Sequence, residues 1–147
     1  MYHGMMKPGY CPPLIILAAF LFFLIGCATG EKKEPTPETI IAEKAFALSL
    51  EIRDAYTAQD LRKLRTLCSE TLSNDLSLQR EKYKSVKLDF TMRWVDIEQD
   101  GTVHLYVAWK RKALTTVQAT EDSGMGVFIL KGDPLKADTI LRDNPFQ

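Results

Sequence analysis

Val86-Lys87-Leu88-Asp89-Phe90-Thr91-Met92-Arg93-Trp94 sets a large apolar side chain at every second position. A period of two is the mark of a strand with one buried face. After Trp94 the phase slips, because Val95 and Ile97 are apolar while Asp96 and Glu98 are not. That slip predicts a β-bulge near Trp94-Val95, which would bend the strand. Asp100-Gly101 is a hairpin signal. The return strand reads from Thr102 to about Leu114, with Val103, Leu105, Val107 and Trp109 on one face and His104, Tyr106 and Lys110 on the other. Thr115 to Thr120 is β-prone and reads as an extension or a short strand of its own. Glu121-Asp122-Ser123-Gly124 has the composition of a turn. Gly126 to Lys131 is continuously apolar until its end, as expected of a central strand. Gly132-Asp133-Pro134 turns the chain again. Leu135 to Leu141 is the last strand, Asp143-Asn144-Pro145 ends it, and Phe146 is expected to tuck under the core.

Upstream of this meander the period is helical. Ile41, Ala45, Leu48, Ile52, Ala55 and Tyr56 recur at spacings of three and four, which makes one apolar stripe on a helix of about 20 residues. Thr36 or Thr39 caps its start, with Pro37 suited to a first turn. Asp60 reads as the N-cap of a short second helix with Leu61, Leu64, Leu67 and Cys68 on its inner side. Ser69 reads as the cap of a third helix ending near Leu78. Gln79 to Lys84 reads as a polar connector. Helices first and an antiparallel meander after them define an α+β domain, one long and two short helices on a curved sheet of four or more strands.

The first 26 residues have another character. Leu14 to Ile25 is an unbroken apolar run, followed by Gly26 and Cys27. It is shorter than the roughly 20 apolar residues that a membrane-spanning helix needs. It fits the apolar core of a secretory signal, about 7–15 residues long. The region before it carries Lys7 and no acidic residue, and translation from Met5 or Met6 instead of Met1 would shorten it. Leu24-Ile25-Gly26-Cys27 resembles a bacterial lipobox. Gly26 lets the bond before Cys27 enter a narrow protease site, and the Cys27 thiolate accepts a diacylglycerol as a thioether. Acyl chains of the palmitate kind contribute about 0.8 kcal/mol per buried CH₂, and two chains hold a protein stably on a bilayer. The expectation is a leader over 1–26, a lipid-anchored Cys27, a flexible tether over 27–37, and a domain over 38–147. Between Ala28 and Thr39 no aliphatic residue is larger than alanine, and Pro35 and Pro37 favour extended chain. Ala28 after the cysteine, by resemblance to enterobacterial sorting, favours the outer membrane, with the domain facing the periplasm of the cell envelope.

Charge and cysteines exclude several classes. The chain holds 19 Lys and Arg against 19 Asp and Glu. Removal of the leader takes only Lys7 and leaves 18 against 19. Such balance argues against nucleic-acid binding, which needs an excess of cations. Cys11 would leave with the leader and Cys27 would be acylated, so Cys68 has no intrachain disulfide partner. His104 is the one histidine beyond the leader. No metal-ligand spacing is present and no cofactor is implied.

The element order, the phrase Asp54-Ala55-Tyr56-Thr57-Ala58-Gln59-Asp60-Leu61 with Leu64 beyond it, and the closing strands followed by Asp143-Asn144-Pro145-Phe146 resemble the nuclear transport factor 2-like superfamily. The resemblance implies a cone-shaped domain with an open mouth. That superfamily includes isomerases, dehydratases and binding proteins, so the fold does not choose among functions. Its enzymes typically place an Asp–His pair, or a Tyr with an Asp, inside the cone. The candidates here are Asp89, Asp96 and His104. The plain reading of each is a solvated strand position, with cross-strand ion pairs for the carboxylates. The sharper reading is a buried carboxylate with a raised pKa. Phe90, Trp94, Tyr106, Trp109 and Phe128 are candidates to line an apolar pocket, and the plain reading of these is core. Tyr106 and Trp109 point inward together only if a bulge separates them. Two functions follow. The first is a non-catalytic module that binds a small apolar ligand in the cone or an envelope protein, with a homodimer through the sheet face. The alternative is a small isomerase-, dehydratase- or hydrolase-type enzyme.

Overall fold

A computed structural model describes residues 34–147. The expected leader, the expected lipobox with Cys27, and the expected tether up to residue 33 lie outside the described residues. Three helices pack on a four-stranded antiparallel open sheet, in the chain order α1 (Pro37–Thr57), α2 (Leu61–Leu67), α3 (Glu70–Glu81), β1 (Ser85–Ile97), β2 (Val103–Leu114), β3 (Ala119–Lys131), β4 (Lys136–Arg142). The strands neighbour one another in sequence order.

Each helix begins on the residue whose side chain can satisfy a free amide. Thr36 Oγ1 accepts from the Thr39 N–H, Asp60 from that of Lys63, and Ser69 from that of Leu72. Such caps are worth about 1 kcal/mol each. Ser69 does more, since its own N–H donates to the Ala137 carbonyl at 2.7 Å and its hydroxyl donates to that of Asp138 at 3.0 Å. The start of α3 is thereby fixed to β4. The far end of α1 is closed by Arg80. Its guanidinium donates to the carbonyls of Tyr56 (3.1 Å), Thr57 (3.3 Å) and Tyr83 (2.6 Å). Two of those are carbonyls of the last turn of α1, of which that of Tyr56 also accepts from the Gln59 N–H at 3.1 Å. Arg80 is 5 % exposed, and α3 runs on to Glu81. The expected polar connector over 79–84 is therefore a helix end with a buried cation.

The bulge in β1 falls between Met92 and Trp94, one residue earlier than the alternation suggested. The extra residue is Arg93. Val95 and Ile97 then register with Leu105 and Val103 on the core side, while Trp94 registers with Tyr106 on the other side. Trp94 thus does not continue the inward series of Val86, Leu88 and Phe90. The second correction is Glu121–Gly124, which is strand and not turn. The turn lies earlier, where Thr115 Oγ1 accepts from the N–H groups of Val117 (3.2 Å) and Gln118 (3.1 Å). Within β3, Glu121 pairs with Lys112 and Asp122 with Arg111 across the strands. Gly124 is needed for space. A Cβ there would lie 2.8 Å from both Asp143 Cβ and Trp109 Cζ2. Gly124→Ala is expected to cost about 1–3 kcal/mol, the usual penalty for overpacking. Urea unfolding measures it, and an unchanged midpoint would contradict the close packing of Trp109 over this strand.

The core lies between α1, α3 and the sheet face carrying Leu88, Val103, Leu105, Val107, Phe128 and Leu130. The chain end completes it. Phe146 is fully buried, with its ring 4.6 Å from that of Tyr56, 6.1 Å from Phe90 and 6.2 Å from Phe128. The segment from Asp143 to Gln147 is held by side chains. The Trp109 indole N–H donates to the Asp143 carbonyl at 2.8 Å, and the Tyr56 hydroxyl to that of Phe146 at 3.0 Å. The Arg111 guanidinium donates to Pro145 and Gln147. Among the described residues no helix is long and apolar enough to cross a membrane.

Candidate functional site

The pleat sorts the candidate residues onto two faces. Phe90, Trp109 and Phe128 are on the core face, where Phe90 and Phe128 meet edge to face at 5.8 Å. β2 pairs with β3 without a register shift, so Tyr106 and Trp109 point to opposite sides. Tyr106 instead stacks on Trp94 on the outer face, with ring centroids 4.2 Å apart and planes 22° apart. The Arg142 guanidinium stands 5.7 Å from the Tyr106 ring. Trp94 is 46 % exposed and Leu141 50 %. These two with Tyr106 make an aromatic and aliphatic patch on the sheet surface.

The titratable candidates share that outer face. Asp89 is exposed beside Thr91 and Arg93. Asp96 is exposed and sits opposite His104 in the register. His104 Nε2 lies 2.8 Å from Glu98, a half-buried pair at the hairpin. None of the three meets the aromatic interior. Among the described residues no group of three or more His, Cys, Asp or Glu could hold a metal ion.

Inside, among the described residues, the buried side-chain polar atoms have partners except Arg111 Nε. Burial holds the Tyr56 hydroxyl far above its ordinary range, so it stays a donor to Phe146. Burial pushes the Cys68 thiol up to about 12. The folded protein therefore keeps that proton more tightly than the unfolded chain, whose thiol titrates near 8.5. The contribution is complete below about pH 8.5 and is lost as the pH rises towards 12. Between pH 9 and 10 wild-type stability should fall faster than that of Cys68→Ala, with a difference in slope approaching about 1 kcal/mol per pH unit. Parallel profiles by urea unfolding would contradict the burial of the thiol.

Several surface recesses combine apolar walls with charge, and one of them brings α1 against the sheet. It lies between α1 and the two hairpin tips that share its end of the sheet, with a volume of about 560 Å³. Ile41 and Leu48 come from α1, Ile97 from the end of β1, Val103 from the start of β2, and Leu135 from the approach to β4. Lys44 from α1 and Asp133 from the β3–β4 turn also line it. Ile41, Lys44 and Leu48 share a helix face because they are three and four positions apart. Gly101 and Gly132, both with positive φ, turn the two tips tightly beside it. Alternation and helical periodicity each place some of these residues, but nothing in either pattern brings the four segments together. No family model matches the chain, and comparison with curated proteins and with solved structures finds no match either.

Proposed function

We propose that the chain is a lipid-anchored binding module of the bacterial cell envelope, tethered through acylated Cys27 and built on a nuclear transport factor 2-like domain over 38–147. It binds and does not catalyse. The observation that carries this reading is the filled interior. Tyr56, Phe90, Phe128 and Phe146 occupy the space between α1 and the sheet, while Asp89, Asp96 and His104 stand outside it. Among the surface recesses, the one between α1 and the hairpin tips suits a small apolar ligand, and its volume of about 560 Å³ falls within the roughly 300–1,000 Å³ of small-molecule sites. The lipobox register supports the anchor, and the order of three helices and a bulged meander supports the fold family.

The test labels cells with a radioactive fatty acid. Wild type is expected to incorporate label and Cys27→Ser to lose at least nine-tenths of it. Mass spectrometry of the wild-type protein released from membranes should then find a co-purified small molecule. Equal labelling of the two forms sinks the anchor, and a ligand-free protein counts against the binding reading.

The outer face favours a second occupant. Trp94, Tyr106 and Leu141 form an exposed apolar patch on an open sheet, which suits a second copy or another envelope protein. Trp94→Glu is expected to abolish self-association in sedimentation while shifting stability by less than about 1 kcal/mol, as for other exposed positions. A protein that is monomeric with or without Trp94 would contradict the homodimer.

A further inference from the structure

The recess between α1 and the hairpin tips is lined by aliphatic side chains, by the turn residues Gly101, Gly132 and Pro134, and by one charge of each sign. Lys44 stands on α1 and Asp133 on the β3–β4 turn. Both are exposed, and among the described residues neither is within ion-pair distance of an opposite charge, as is also true of other surface charges such as Lys87 and Lys110. Unpaired charges at the edge of an apolar recess leave both hydration and an attraction available to a ligand. The accessible hydrocarbon comes from Ile41, Ile97 and Leu135, with Leu48 and Val103 buried behind them, and such surface gains by covering an acyl chain at about 25 cal/mol per Å².

The chain leading to the recess adds a reason for the source. Helix α1 begins at Pro37, ten positions after Cys27. A fully extended stretch of that length spans at most about 35 Å. If Cys27 is acylated, the first turns of α1, which carry Ile41 and Lys44, are confined to the neighbourhood of a lipid surface. We infer that the recess binds a single-chain zwitterionic amphiphile drawn from that surface. Its acyl chain lies against the aliphatic walls, its anionic group meets Lys44, and its cationic group meets Asp133. A phospholipid with a phosphoethanolamine head and one chain missing has this chemistry. This inference rests on the anchored-module reading and names the ligand class of the same recess.

The experiment uses the full lipidated protein in nanodiscs. The probe is a lysophosphatidylethanolamine with a diazirine in its acyl chain, and the control carries the same chain on an uncharged glycerol head. After irradiation, adducts are mapped by mass spectrometry. The expected adducts lie on peptides containing Ile41 to Leu48 and Ile97, with the zwitterionic probe giving at least fivefold more than the control. Ile97→Glu, at a position 37 % exposed and so tolerant of change, should reduce the yield at least fivefold. Lys44→Asp and Asp133→Lys should each erase the preference between heads, and the two together should restore it. Recess adducts of equal yield from both probes would overturn the zwitterionic assignment and leave the binding reading standing. Adducts spread over the outer sheet face, with none at the recess from either probe, would overturn both. An unchanged yield in Ile97→Glu would likewise remove the recess as the site.

Discussion

Phe146→Ala is expected to cost about 3–5 kcal/mol of folding stability, as truncation of a buried aromatic does. The ring is fully buried and touches three other aromatic rings, so few neighbours can collapse into the space it leaves. For a domain of this size total stability is on the order of 5–15 kcal/mol, so the loss takes about a fifth of it or more. At about 4 °C per kcal/mol, the melting temperature should fall by roughly 12–20 °C. Tyr56→Phe dissects the same site. It keeps the ring but removes the donor to the Phe146 carbonyl, and it should cost only about 1–2 kcal/mol, the penalty for a buried carbonyl left unpaired. Thermal unfolding of both variants checks the account. A change under 1 kcal/mol for Phe146→Ala would mean that the chain end is not part of the core.

Trp109→Ala should be comparably severe, at about 3–5 kcal/mol, for two separable reasons. The indole is 7 % exposed and covers Gly124, and its N–H donates to the Asp143 carbonyl. Trp109→Phe retains most of the volume and loses the donor, so it should cost about 1–3 kcal/mol. Urea denaturation resolves the two contributions. If the alanine and phenylalanine variants were equally stable, the hydrogen bond and not the packing would fix the chain end.

Much of the fold was legible because its signals are local. Thr36, Asp60 and Ser69 announce helix starts through side-chain oxygens that reach amides three residues on. The alternation from Val86 to Met92 shows a strand with one wet face. Other features depend on residues far away in the chain. The glycine in Glu121-Asp122-Ser123-Gly124 looks like turn chemistry until Asp143 is seen to occupy the place of its Cβ. Arg80 looks solvated until the last turn of α1 is seen to present the Tyr56 and Thr57 carbonyls to its guanidinium. A phase slip shows that β1 has an extra residue but not which one, and the choice of Arg93 moves Trp94 to the opposite face. The recess between α1 and the hairpin tips was invisible for the same reason. Ile41, Ile97, Val103 and Leu135 meet only through the sheet register and the placement of α1.

The central claim is that this domain is filled inside and binds at the recess between α1 and the hairpin tips. Methyl-resolved NMR of the protein, titrated with lysophosphatidylethanolamine, tests it most directly. The account predicts shifts at Ile41, Leu48, Ile97, Val103 and Leu135, with Leu64, Leu76 and Ile140 unmoved. Shifts centred on Leu64, Leu76 and Ile140, with the recess methyls silent, would place the ligand in the interior and contradict it.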